Sequence, residues 1–246
     1  SLSQGNIRGY SASKIITNIL IRVINKLLKA DLHIHTNFSF DGHMTADEII
    51  ARCLKAGINC IAITDHGTVE GGLLVQKKAP FKVIVGEEVR TAEGEVMGLF
   101  LKQTIPNGLP LVETAKLIKA QGGILGVPHP FDPFRGLKKA KQNLESLVNY
   151  LDLLEVFNSR SLILDGSGKA RQFCLEHKLP GSAGSDAHTA GEIGASWVEM
   201  EDFSSPASFL TSLSKGQIKG KRSNPLVHFR TFNHRRLKGL FNSKQA

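Results

Sequence analysis

The segment DLHIHTNFSFDG, residues 31–42, packs His33, His35, Asp31 and Asp41 into twelve positions. It follows an apolar run and precedes TADEIIARCLKAG (45–57), where Thr45 and Glu48 have the spacing of a capping box and Gly57 that of a helix stop. ADLHIH (30–35) reads as a strand, on which His33 and His35 alternate and so point to the same face. A lone His-x-His pair on a strand is ordinarily hydrogen-bonded; its meaning depends on what the rest of the chain brings beside it.

Outward from this segment, short apolar runs alternate with helical periods, the mark of repeated βα units. INCIAITD (58–65), ILGVPH (124–129), DLLEVFN (152–158) and GSAGSD (181–186) read as strands. FKVIVGEEVRT (81–91) and GEVMGLFL (94–101) read as two strands joined by a turn at Glu93–Gly94. VEGGLLVQKKA (69–79) is a glycine-weakened helix, and LPLVETAKLIKAQGG (109–123), LKKAKQNLESLVNYL (137–151), GKARQFCLEHKL (168–179) and SPASFLTSLSKG (205–216) are further helices. The expectation is one α/β domain, most simply a barrel, with its chemistry at the C-terminal ends of the strands.

Those ends repeatedly carry ligand types: Asp65–His66, Glu87–Glu88, His129, and Asp186 with His188. Singly, a Thr-Asp or Ser-Asp after a strand is an ordinary helix cap. Together they crowd imidazoles and carboxylates at one rim, and neighbouring buried acids repel unless a cation lies between them. Mixed His/Asp/Glu ligation suits Zn²⁺, Mn²⁺ or Fe²⁺, is too nitrogen-rich for a dedicated Ca²⁺ or Mg²⁺ cage, and offers more ligands than one such ion takes.

The 246 residues, 41% hydrophobic and 22% charged, are enough for a large core. Cys53, Cys60 and Cys174 form no CxxC pair and suggest buried reduced thiols. No apolar run reaches the ~18 residues of a membrane span and no signal-peptide pattern is evident, so a cytoplasmic location is expected. The first residue is not Met, which suggests a processed or trimmed start. The net charge of +9 is carried by the ends: residues 1–30 hold five Lys/Arg, residues 215–246 hold nine, neither holds an acid, and the body between is net −5. That distribution argues against a basic groove over the body.

As a set, DLHIHTNFSFDG, AITDH, GEE, PHPF and GSDAH, in this order over roughly residues 31–200, resemble the PHP (polymerase and histidinol phosphatase) family. The later stretch, LLEVFNSR to GSAGSDAHTAGEIG, is similar to its small stand-alone phosphoesterases. The resemblance implies a distorted (β/α)7 barrel with two or three divalent metal ions (Mn, Zn or Fe) at the C-terminal rim. It implies that His33 and His35 bind one metal with Asp186 and a bridging Glu88, that Asp41, His66 and His188 hold another, and that His129 helps Glu88 hold the remaining ion. Glu88 is chosen over Glu87 by motif register. Members with three full sites usually add a histidine on the strand after the bridging Glu; this chain has none there, and Glu95 either substitutes for it or faces outward.

The chemistry implied is hydrolysis of a phosphate ester by a metal-bridging hydroxide. Asp65 is expected to orient a ligating imidazole, and Arg135, Arg160 and Asn158 either bind the phosphorylated substrate or are solvated loop residues. Phe131 and Phe134 either line a pocket or pack in the core. GSGK (166–169) is not a P-loop, and Ser185 lacks a nucleophile elbow. A small-molecule or nucleotide monoester is the preferred substrate. The alternatives are a nuclease acting on DNA or RNA ends, recruited by the basic termini, and a metal-binding regulatory module with weakened catalysis. The organisation expected is a basic amphipathic helix in 1–30 with its apolar stripe at 15–28, the barrel in 31–214, and a basic tail in 215–246; the ends are expected to dock, salt-sensitively, on an acidic surface or nucleic acid.

Overall fold

A computed structural model describes residues 27–161 and 166–224. In chain order the elements are β1 (Leu27–Ile34), α1 (Ala46–Ala56), β2 (Cys60–Ile63), α2 (Glu70–Lys78), β3 (Lys82–Arg90), β4 (Glu95–Leu99), α3 (Leu111–Ala120), β5 (Ile124–Val127), α4 (Ala140–Leu147), β6 (Leu153–Asn158), α5 (Ser167–His177), β7 (Gly181–Gly184), β8 (Ser196–Glu201), α6 (Pro206–Ser214) and β9 (Gln217–Gly220). The sheet order is β7-β6-β5-β4-β3-β2-β1-β8-β9. Strands β1 to β3 run parallel, as do β5 to β7, while β4 is antiparallel to both of its neighbours.

The sheet curls into a nearly closed seven-stranded barrel whose seam is split. The start of β1, Leu27–Ala30, pairs antiparallel with β8, but at the other end the Ile34 backbone bridges Ala187, and the His35 N–H donates to the Ala187 carbonyl at 2.9 Å. Gly184 makes that closure possible: a Cβ there would lie 2.3 Å from the Cβ of His33. The seam therefore closes only at the C-terminal rim, where β7 delivers residues 185–188 against the histidines of β1.

Local chemistry explains the elements. Helix α1 starts on the Thr45–Glu48 capping box and stops at Gly57, whose φ is 69°. The apolar faces of α1 to α5 cover the outside of the barrel. Ile49 and Cys53 of α1 pack with Ile61 and Ile63 of β2, while Ala115, Leu144 and Phe173 cover β3 to β6. Inside, Leu32, Ala62, Ile84, Met97 and Leu153 form a dry layer, closed from the N-terminal end of the strands by Phe203, Phe209 and Leu213. Phe100, Phe203 and Phe209 meet edge to face there, with centroids 5.1–6.1 Å apart.

Two features differ from the sequence reading. Leu27 and Leu28 begin β1 rather than ending a helix; the rest of that stripe, and residues 225–246 of the basic tail, lie outside the described residues. Strands β8 and β9 were not expected, although β8 alternates buried and less buried positions along SWVEME, and β9 lies within the stretch read as a tail. The three cysteines are buried and free, as expected.

Candidate metal centre

A bulge in β1 aims the histidines. Ala30 pairs with Cys60 and Ile34 with Ile63, so β1 spends an extra residue between Asp31 and Ile34 relative to β2. Leu32 packs in the interior layer and Ile34 against α1, so the bulge turns His33 and His35 inward, directly above Leu32. Their Nε2 atoms face each other at 3.1 Å, and around them stand Glu88 Oε2, 3.2 and 3.3 Å away, and Asp186 Oδ1, 3.7 and 3.4 Å away. His188 Nε2 approaches Asp41 Oδ2 at 3.2 Å and His66 Nε2 approaches it at 3.6 Å. His129 Nε2 lies 3.2 Å from the second Glu88 oxygen, Oε1.

Potential ligand atoms fall into three groups, each within 4.8 Å: His35, Asp41, His66 and His188; His33, His35 and Glu88; and Glu88, Glu95 and His129. Seven of the eight residues expected as ligands fall in these groups, Asp186 stands beside His33 and His35 just outside them, and Glu88 touches every group. Strand alternation resolves the glutamate pair: Glu88 faces the cluster, while Glu87 faces away and accepts the Ile105 N–H at 2.8 Å. Glu95 was not placed by the sequence reading. On β4 it shares parity with the interior residues Met97 and Leu99, so it faces inward, with Oε1 3.7 Å from His66 Nδ1.

Two of the ligand candidates hold strained backbone. His129 and Asp186 have φ of 29° and 54°, where non-glycine residues cost about 1–3 kcal/mol each and persist where surrounding structure enforces them. The electrostatics are those of a cation site. Burial disfavours protonated His33, yet Glu88, Asp186 and Glu155 hold its pKa well above the ordinary value; His35, also opposed by burial, is raised to about 9 by Asp186 and Glu88. Burial alone pushes carboxylates up, but the histidines and Arg135 hold Asp186 well below the usual range, and the histidines do the same for Glu88 and Asp41. Burial lowers His66 to about 4 and His188 to about 3, keeping both neutral. Buried Glu88 Oε1 and His66 Nδ1 have no hydrogen-bond partner. Facing imidazole nitrogens, surrounding carboxylates and unpartnered buried atoms fit divalent metal ions.

The supporting residues depart from expectation. Asp65 does not orient an imidazole: its two oxygens accept from Thr36 N–H at 2.6 Å and Thr36 O–H at 2.7 Å, which ties down the loop after β1. The orienting carboxylate is Glu155, which the sequence reading missed. Its Oε1 lies 3.0 Å from His33 Nδ1, and its Oε2 accepts from the His129 N–H and the Asn158 amide, each at 2.9 Å. A glutamate within DLLEVFN has the inward parity of a core residue, and that was the available signal. Asn158 is likewise a positioning residue, since its amide also reaches Asp186 Oδ2 at 3.3 Å and its Oδ1 accepts from the Arg160 N–H at 2.9 Å. Arg160 is buried, with Nη1 3.4 Å from the Asp186 carbonyl and Nε 3.5 Å from Glu192. Arg135 pairs with Asp186 Oδ2 and lies 3.4 Å from Asp132, at the edge of the open space.

That space is a cavity of about 1520 Å³ with the metal-ligand cluster at one end. Its walls include Phe131 and Phe134 together with Arg90, Lys138, Lys139, Lys141 and Lys169. Phe134 is 82% exposed, so it does not belong to the core.

A strand-end cluster of this kind on a split seven-stranded barrel defines a PHP domain. The chain belongs to that family: the PHP domain matches residues 31–166 and the PHP-associated region residues 167–218. PHP proteins are metal-dependent phosphoesterases. Two uncharacterized proteins of Methanocaldococcus jannaschii are similar: one is 40% identical over 145 residues (54% of this chain, 82% of that protein), the other 32% over 196 residues (76% and 79%). A 5'-3' exoribonuclease of Haemophilus influenzae is 26% identical over 138 residues, 50% of each chain. The crystal structure of a two-domain protein from Bacteroides vulgatus, described as containing a predicted PHP-like metal-dependent phosphoesterase, superposes with a TM-score of 0.64 at 18% identity, over 79% of this chain and 65% of that one. No described helix is long and apolar enough to cross a membrane.

Proposed function

We propose that this protein hydrolyses a phosphate ester of nucleotide size, using divalent metal ions held by His33, His35, Asp41, His66, Glu88, His129, Asp186 and His188. The observation that carries the reading is the convergence of these side chains on Glu88 at the floor of the large cavity. Bound there, the ions supply water activation and polarisation of phosphoryl oxygens, and Mn, Zn and Fe all suit the donor set.

The chain's own groups prepare the ligands. His188 Nδ1 donates to the Asp186 carbonyl at 2.8 Å, and His33 Nδ1 to Glu155 at 3.0 Å, so in each ring the Nε2 lone pair is turned into the site. Arg135 neutralises Asp186 from the cavity side and can offer its remaining N–H groups to a phosphoryl oxygen. Arg160 backs the Asp186 main chain from the wall. The aromatic and basic lining beyond gives a base or sugar something to rest on and a second anionic group a partner.

A second reading, a nuclease acting on nucleic-acid ends, is supported by the same basic lining and by the similarity to an exoribonuclease. Protein purified without chelator and assayed with p-nitrophenyl phosphate, a bis-ester analogue, nucleoside monophosphates and short oligonucleotides separates the readings. Metal-dependent turnover of monoesters is expected, preferential shortening of oligonucleotides would favour the nuclease, and activity surviving the double substitution H33A/H35A would overturn both.

A further inference from the structure

We propose that Glu95 completes a separate, carboxylate-rich metal centre with Glu88 and His129, and that this centre selects a harder ion, of the Mn²⁺ or Mg²⁺ class, than the imidazole-rich group beside it. The inference rests on the metal-dependent reading above and specifies which ion goes where. Glu95 is placed by backbone parity rather than by chance: it opens β4, opposite Arg90 in the β3–β4 ladder, two residues before the interior Met97. Its side chain is only 17% exposed, and its carboxylate lies with Glu88 and His129 ligand atoms inside one 4.8 Å group. Independently of Glu95, the fully buried Glu88 Oε1 points at this group without a hydrogen bond.

The donor sets differ in kind. Glu88, Glu95 and His129 offer two carboxylates and one imidazole, whereas His35, Asp41, His66 and His188 offer three imidazoles and one carboxylate. Imidazole-rich sites suit Zn²⁺ and Fe²⁺, and carboxylate-rich sites suit Mn²⁺ and Mg²⁺. Arg90 Nη2 stands 3.8 Å from Glu95 and competes with a cation for it, so this centre is also the more readily exchanged.

The test is metal content, not turnover. Chelator-stripped protein is dialysed against equal concentrations of Zn²⁺ and Mn²⁺, desalted, and read by elemental analysis and manganese electron paramagnetic resonance. Wild type is expected to retain both metals. E95Q is expected to lose most of its manganese and keep its zinc, and E95H to exchange manganese for zinc. Manganese at the wild-type level in E95Q, or an unchanged Mn:Zn ratio in E95H, would overturn the assignment. If E95Q lost both metals, E95H decides: zinc retained without manganese supports Glu95 as the selecting ligand, and neither metal retained overturns it. Wild type retaining neither ion would sink the metal-dependent reading itself, an outcome separate from failure at Glu95.

Discussion

Replacing Glu155 by Gln changes one atom in a buried carboxylate that touches no substrate, and the structure predicts a large effect on metal binding. Glu155 accepts from His33 on one oxygen, and from the His129 main chain and the Asn158 amide on the other. Glutamine can satisfy only one side. With its oxygen toward His33, its NH₂ faces two other donors, and each donor left unsatisfied in the interior costs about 1–3 kcal/mol. With its NH₂ toward His33, Nδ1 must become the acceptor, which moves the proton to Nε2 and removes that nitrogen from the ligand set. Either arrangement should weaken metal binding by about 10–100-fold, the usual consequence of losing such a partner, or about 1.4–2.8 kcal/mol. Titration calorimetry of stripped protein with Zn²⁺ and Mn²⁺ measures it, alongside melting of the metal-free form. Wild-type affinity together with a wild-type melting temperature would refute the claim that Glu155 sets the His33 tautomer.

Glu88→Gln should lose metal as well as rate with the fold retained, since Glu88 touches all three ligand groups; full metal content and wild-type kcat would show that another residue bridges. Gly71→Ala should lower stability by about 1–3 kcal/mol or more, because its Cβ would lie 2.0 Å from Asp65 Oδ2 and 2.3 Å from Thr36 Oγ; an unchanged denaturant midpoint would remove the Thr36–Asp65 tie from the account. The metal-free protein should lose stability as pH rises from about 6.5 to 9. His35 has a folded pKa of about 9 against an ordinary 6.5, so its contribution is complete below 6.5 and lost through 9, and Glu87 and Glu95, each raised to about 7, act in the same direction at lower pH. Added divalent metal, which needs deprotonated imidazole, should reverse the slope; a melting temperature rising with pH in chelator would contradict it.

What was legible in the sequence is what local rules govern. The Thr45–Glu48 box, the Gly57 stop, the β3–β4 hairpin and the ligand-bearing strand ends all obey spacing and alternation, and the structure has them. The residues that escaped depend on long-range geometry. Glu155 acquires its meaning only when β6 lies 122 positions away in sequence but 3.0 Å away in space from His33. Asp65 is expected from the sequence to orient an imidazole, yet Thr36, across the β1–β2 pair, takes both of its oxygens. The inward turn of both histidines was anticipated from plain alternation, but it is produced by a bulge that alternation cannot reveal: without it, the inward parity of Leu32 would have turned His33 out.

Charge is where counting residues misled most, and it bears on the substrate. A body of net −5 was read as unfavourable to polyanions, on the tacit premise that its charges are on the surface. Among the described residues Asp31, Asp41, Asp65, Glu87, Glu88, Asp132, Glu155, Asp186 and Glu192 are buried, whereas Arg160 is the one buried Lys or Arg. Removing these from the outward-facing tally leaves a surface that is no longer acidic. The buried acids are concentrated where the histidines converge, so cations bound there would cancel much of their field as well. An approaching phosphate then meets Arg90, Lys138, Lys139, Lys141 and Lys169 along the cavity, five basic side chains against the one exposed carboxylate of its lining, Glu176. On this distribution steering should be attractive and salt-dependent even for the body without its basic ends. The measurement is the ionic-strength dependence of kcat/KM in a chain lacking residues 1–26 and 225–246: a decline with added salt follows from the cavity lysines, while a flat or rising profile would return polyanion recognition to the termini.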